Sequence, residues 1–234
     1  MATTSTTPKR AFGKLFNAVA IAVALCASSA SQAGVLNFET PQEQPLVFVG
    51  VPLTFGEYRV EAVESFGSLI TNDDCDASVQ CPVNNPTTYF GGLNDGFLGF
   101  GMTDNSKFKI SSLDASFIGN GAASYPSVAA VLYIAGYNGQ EFVKDLLLPL
   151  AGPTNNQFRF ANFSVGAFSN FEFTNVIVAS FACDAAGNCN RTNNAANFAV
   201  DNITTFVPEP GSFALMGLGL LGLGAISRRR AAKA

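Results

Sequence analysis

"SVAAVLYIAGYNGQEFVKDLLL" (residues 127–148) sets two apolar runs, rich in β-branched and aromatic side chains, on either side of Asn138-Gly139. Runs of that kind read as strands. A tight hairpin turn needs residues that tolerate positive φ, and an Asn-Gly pair supplies them. The stretch therefore reads as an antiparallel hairpin and sets the expectation for the sequence around it.

Outward from this hairpin the same pattern recurs. Candidate strands cover 35–39, 46–50, 58–65, 96–101, 108–118, 127–137, 141–148, 157–165, 171–182 and 197–207. In "FKISSLDASFI" (108–118) the apolar positions are Phe108, Ile110, Leu113, Ala115 and Phe117, a phase shift at Ser111-Ser112 that reads as a bulge. "NVIVASF" (175–181) is apolar almost without a break, as in a strand buried on both faces. Asn94-Asp95-Gly96 and Gly152-Pro153 punctuate the runs as turns. Residues 66–90 read as one long irregular stretch, and 184–196 as a second loop before the last strand. So many short strands between residues 34 and 207 predict an all-β fold, an antiparallel two-sheet β-sandwich of jelly-roll type. With 22 Phe and no Trp, phenylalanine must fill the space between the sheets.

Both ends differ from this body. Lys9, Arg10 and Lys14 precede an apolar run from Leu15 to Ala27, and "SASQA" then offers Ser31 and Ala33 as small residues. That order predicts a secretory signal over 1–33 with cleavage before Gly34. The body that remains carries six basic and sixteen acidic residues, a formal charge of −10. Such a surface repels nucleic acid, so no nucleic-acid partner is expected. Cys75, Cys81, Cys183 and Cys189 form two matching loops, "CDASVQC" and "CDAAGNC". Four cysteines allow three pairings, and an exported chain favours disulfides. The two local pairings are expected, each worth ~2.4 kcal/mol by loop closure. The spacing does not suit zinc, and no His is available.

At the other end, Phe213 to Ile226 is uncharged and Arg228, Arg229 and Arg230 follow. Fourteen residues of helix span ~21 Å, less than the ~30 Å of a bilayer core. Even so, the glycines would weaken a helix in water and are tolerated in membranes, and the arginines would stop transfer. A transmembrane helix is expected over 212–227, preceded by Pro208, Glu209 and Pro210.

This tail resembles the PEP-CTERM sorting signal, with its Pro-Glu-Pro, Leu/Gly segment and Arg cluster in order. The resemblance implies a Gram-negative bacterial protein held in the inner membrane through residues 208–234 and processed by an exosortase. Pro208, Glu209 and Pro210 would be the recognition motif, and cell surface, biofilm matrix or extracellular polysaccharide the destination. The body broadly resembles carbohydrate-binding jelly-roll modules: "LNFE" opens it and "FAVDNI" closes it. That resemblance implies paired first and last strands with a structural calcium ion held by Glu39 and Asp201.

Catalysis finds little support. Without His, every scheme that uses imidazole is excluded. The formal G-x-G-x-x-G at Gly217, Gly219 and Gly222 lies in the apolar tail and follows no strand. No local motif pairs two of the acids for glycoside hydrolysis. A non-catalytic structural or adhesive protein is expected, or alternatively a carbohydrate-binding module. For sugar stacking, Tyr58, Tyr89, Tyr125, Tyr133 and Tyr137 would stand in for the missing Trp.

Overall fold

The computed structural model describes residues 32–39, 45–71, 74–75, 79–122, 124–191 and 195–207. The expected signal helix and the expected apolar helix 212–227 lie outside the described residues, as do Pro208, Glu209, Pro210, Arg228, Arg229 and Arg230. Among the described residues no helix is long and apolar enough to cross a membrane.

In chain order the strands are β1 (Gln32–Leu36), β2 (Leu46–Phe48), β3 (Leu53–Phe55), β4 (Tyr58–Ala62), β5 (Phe66–Ile70), β6 (Tyr89–Leu93) and β7 (Leu98–Met102). They continue with β8 (Lys109–Phe117), β9 (Val128–Asn138), β10 (Glu141–Ala151), β11 (Ala161–Ser164), β12 (Asn175–Cys183), β13 (Cys189–Asn190) and β14 (Phe198–Val207). The first sheet runs β11-β8-β14-β6-β5-β2, with β1 also on β14, and the second runs β10-β9-β12-β7-β4-β3, with β13 also on β12. Every strand pairing but that of β1 on β14 is described as antiparallel, so the expected two-sheet sandwich is observed. The opening hairpin is β9–β10, its turn made by Gly139 at φ 62° and Gln140.

Phenylalanine fills the interior, as expected. Phe38 meets Phe55 edge to face at 5.3 Å and Phe90 at 5.9 Å, and Phe90 meets Phe198 at 6.2 Å. Phe168, on a short 3-10 turn (Gly166–Asn170), stacks on Phe173 at 4.7 Å. Each fully buried ring contributes ~1.5–3 kcal/mol of transfer free energy.

Four strands lie outside the expected ranges: β3, β5, β6 and β13, the last inside the expected 184–196 loop. Residues 66–90 are not wholly irregular, because β5 and the start of β6 lie there. Their sequences, "FGSLI" and "YFGGL", carry the glycines that disguised them. A Cβ on Gly67 would strike the Phe90 ring, and one on Gly92 would strike Phe198. Glycine is present because rings from neighbouring strands lie across these backbones.

The register of β14 on β8 explains the phase shift seen at Ser111-Ser112. Asp201 pairs with Asp114, Thr204 with Ser112 and Thr205 with Ile110. Three residues of β14 thus face two of β8, and then one faces two. Two compensating bulges result, one on each strand. The bulge on β14 turns Asn202 to φ 49°, a left-handed conformation that asparagine tolerates. It lets Ile203 return to the core while Asn202 stays exposed.

Both local disulfides are present, Cys75–Cys81 and Cys183–Cys189. The first pins the loop that covers part of the outer face of the first sheet. There Ile70, Tyr89, Ile118, Phe160 and Ala199 make a second, smaller core, with Cys75, Val79 and Cys81 packed on it. The second pins the β12–β13 ribbon. Just beyond it, Arg191 lies 4.2 Å over the Phe97 ring, 3.3 Å from Glu64 Oε2, and donates to the Asp95 carbonyl.

Candidate functional site

Two places on the sandwich gather polar or aromatic side chains. The first is a cavity of about 480 Å³ on the outer face of the first sheet. It lies where the end of β1, the 84–87 loop, β8, β11 and the β14 bulge meet. Asn37, Glu39, Asn84, Asn85, Thr87, Asp114, Asn162 and Asn202 line it, with Pro86, Phe160 and Ala161 as apolar wall.

The structure brings Glu39 and Asp201 to this region in unequal roles. Glu39 is exposed on the cavity wall. Asp201 is fully buried beneath it. Asn85 Nδ2 donates to Asp201 Oδ2 at 2.8 Å, Thr87 Oγ1 lies 3.3 Å from the same oxygen, and the Asn202 amide donates to Oδ1 at 2.8 Å. Asn85 is itself oriented, its Oδ1 accepting from the Thr87 amide and hydroxyl. Asp201 thus ties the 84–87 loop to the last strand. A calcium ion needs 6–8 oxygen ligands, and the cavity wall offers two carboxylates, Glu39 and Asp114, so amide and backbone oxygens would have to supply the rest. Among the described residues no group of three or more acids, cysteines or histidines is placed to hold a metal.

Burial is the main cause that raises the pKa of Asp201; the charge of Glu39 adds to it, and the Asn85, Asn202 and Thr87 hydrogen bonds oppose it. A carboxyl whose folded pKa exceeds its unfolded value near 3.9 favours folding while protonated. Its contribution to stability therefore falls as pH rises from about 4 through the folded pKa. Denaturation of wild type and Asp201→Asn across pH 4–7 measures this. The stability difference, wild type minus variant, is expected to shrink as pH rises, and a difference that grows contradicts the assignment.

The second place is the outer face of the second sheet. Leu132 and Ile134 of β9 enter the core, so Tyr133, Ala135 and Tyr137 point outward. On β12, Val176 and Val178 are core, leaving Ile177, Ala179 and Phe181 outward. The ring of Tyr133 lies 6.1 Å from Phe181, and that of Tyr137 lies 5.9 Å from Phe142, both edge to face. Along β9 the two tyrosines stand ~13 Å apart. Gly99 and Gly101 present no side chain on the neighbouring stretch of β7, and Arg59 and Glu61 of β4 lie beyond them. Asp145 borders Tyr133; burial first, and then the Asp145 charge, raise that phenol's pKa and keep its proton on as a donor.

Of the five tyrosines, three are unavailable for stacking. Tyr58 is buried and bonded to Thr205 Oγ1 at 2.6 Å. Tyr89 is fully buried. Tyr125 donates to Gln80 Oε1 and accepts from the Asn120 and Ala122 amides. Only Tyr133 and Tyr137 lie on an open face. "NVIVASF" is corrected here too: β12 is buried on one face, while Ile177 and Phe181 remain partly exposed on the other.

Residues 206–230 match the family model described as the PEP-CTERM protein-sorting motif. The motif is that of an exported, membrane-anchored precursor in Gram-negative bacteria. No curated protein sequence matches the chain. Among solved structures, a DUF4465 family protein from Bacteroides caccae aligns with 13% identity and a TM-score of 0.51, over 75% of this chain and 99% of its own. A fucose-binding module from Streptococcus pneumoniae aligns at 9% identity and a TM-score of 0.32, over 75% and 97%. A family 11 carbohydrate-binding module from Clostridium thermocellum aligns at 11% and 0.32, over 76% and 97%. The chain is thus an all-β sandwich that ends in a PEP-CTERM sorting motif at residues 206–230.

Proposed function

We propose that the processed protein is a non-catalytic adhesive sandwich of the cell envelope or extracellular matrix. It holds hydroxyl-rich polymers such as extracellular polysaccharide on the outer face of its second sheet. One observation carries this reading: Tyr133, Tyr137, Phe142 and Phe181 gather on an open face edged by Arg59, Glu61, Asp145 and Asn175. Aromatic rings offer flat apolar surface to the C–H faces of sugar rings, and the polar edge takes up hydroxyls. The acid with the raised pKa does not support catalysis. Asp201 is fully buried with its oxygens already bonded, so it meets no substrate.

A glycan array probed with the processed protein tests this, with Tyr133→Ala and Tyr137→Ala as comparisons. Each substitution is expected to weaken polysaccharide binding by ~2 kcal/mol, roughly thirtyfold, as for an aromatic anchor at an interface. Each ring is partly buried and packed on a neighbour, so the melting temperature is expected to fall somewhat, and binding is compared where all three proteins remain folded. Uniform failure of the wild type to bind would leave a purely structural role.

A further inference from the structure

The cavity on the first sheet has an uneven chemistry. Asn162 Nδ2 donates to Asp114 Oδ1 at 2.8 Å, and Asn202 Nδ2 donates to Asp114 Oδ2 at 3.0 Å. Asn84 spends both ends of its amide on the Phe160 backbone, at 3.2 and 3.0 Å. The Asn84, Asn162 and Asn202 side-chain amides thus donate to the protein itself, and Asn37, also on the wall, is exposed. The acceptors on this wall are the exposed Glu39 carboxylate, the Asp114 carboxylate and the side-chain carbonyl oxygens of Asn162 and Asn202. Among the described residues no Lys or Arg lines the cavity, and the body around it carries a formal charge of −10.

A wall rich in acceptors and poor in donors selects a ligand rich in donors. At about 480 Å³ the space is that of a ring-sized molecule rather than a bare ion. Phe160 gives it an apolar side for a ring face, and Glu39, beside Asp114, gives it negative charge with no basic neighbour among the described lining residues. We propose that this cavity binds a sugar unit bearing a free ammonium group, a hexosamine of a partly or wholly unacetylated polysaccharide. Glu39 pairs with the ammonium, and the asparagine carbonyls accept from it and from the ring hydroxyls. The proposal rests on the polysaccharide reading above and adds a second, chemically distinct site to it.

Calorimetry of the processed protein with a glucosamine tetramer and its fully N-acetylated counterpart, at a pH where the amine is protonated, tests the proposal. The free amine is expected to bind about tenfold more tightly, the contribution of one charge-assisted hydrogen bond. Glu39→Gln should remove that preference and leave the melting temperature unchanged, because Glu39 is exposed. Equal binding of the two tetramers, or a preference that survives Glu39→Gln, overturns it. So does calcium that binds the EDTA-treated protein, displaces the tetramer and needs Glu39, which would make the cavity a metal site. Tyr133→Ala separates the two readings. It should weaken neutral polymers and spare the amine preference; loss of neutral binding with no amine preference in the wild type would sink the cavity proposal alone.

Discussion

Alanine at Pro208, Glu209 and Pro210 together is expected to leave the C-terminal tail on the protein and the protein in the inner-membrane fraction. The physical basis lies on both sides of the motif. β14 runs to Val207 as ordered strand between its neighbours. Proline has no N–H to donate to a ladder and restricts its own φ, so a Pro-Glu-Pro sequence directly after the strand is a stretch a strand does not readily continue through. On the far side three consecutive arginines would cost ~2.5–3.5 kcal/mol each at mid-membrane, which would hold that end on the cytoplasmic side of an anchored precursor. Intact mass and fractionation of wild type and variant, in cells with an exosortase, report the outcome. Release of the variant with its tail removed as in the wild type would show that Pro-Glu-Pro is not what the processing enzyme reads.

The largest stability effect is expected at Phe90. Its ring is fully buried, lies against Phe38 and Phe198, and covers Gly67 of the adjacent strand. Phe90→Ala should cost ~3–5 kcal/mol, because the glycine beside it has no side chain to fill the cavity. For a domain of this size that lowers the melting temperature by roughly 10–15 °C. Gly67→Ala attacks the same contact from the other side, by overpacking, and should cost ~1–3 kcal/mol. Calorimetric melts compare the two. A loss below ~1 kcal/mol for Phe90→Ala would mean that the rings between the sheets are not packed as described.

Legibility in the sequence followed local signals. The β9–β10 hairpin was readable because two β-forming runs flank a turn pair, and the bulge near Ser111 because the apolar phase breaks there. β5 and β6 were hidden because their glycines answer to rings elsewhere in the chain. The role of Asp201 was half visible. Its place near Glu39 followed from the pairing of first and last strands, but its bonds to Asn85 and Thr87 come from a loop more than 110 residues away. Tyr133 and Tyr137 were no different from Tyr58, Tyr89 and Tyr125 until the sheets were closed.

The sequence by itself determined the all-β class, the sorting motif at residues 206–230, the lack of any imidazole and the local cysteine loops. Each rests on residues adjacent in the chain or on composition, where period, charge order and ring size act without help from distant contacts. Tertiary structure alone decided which face of β12 stays open, which tyrosines can meet a ligand, and which amides face the cavity with donors already taken. These are properties of burial and long-range hydrogen bonding, and neither exists until the two sheets pack.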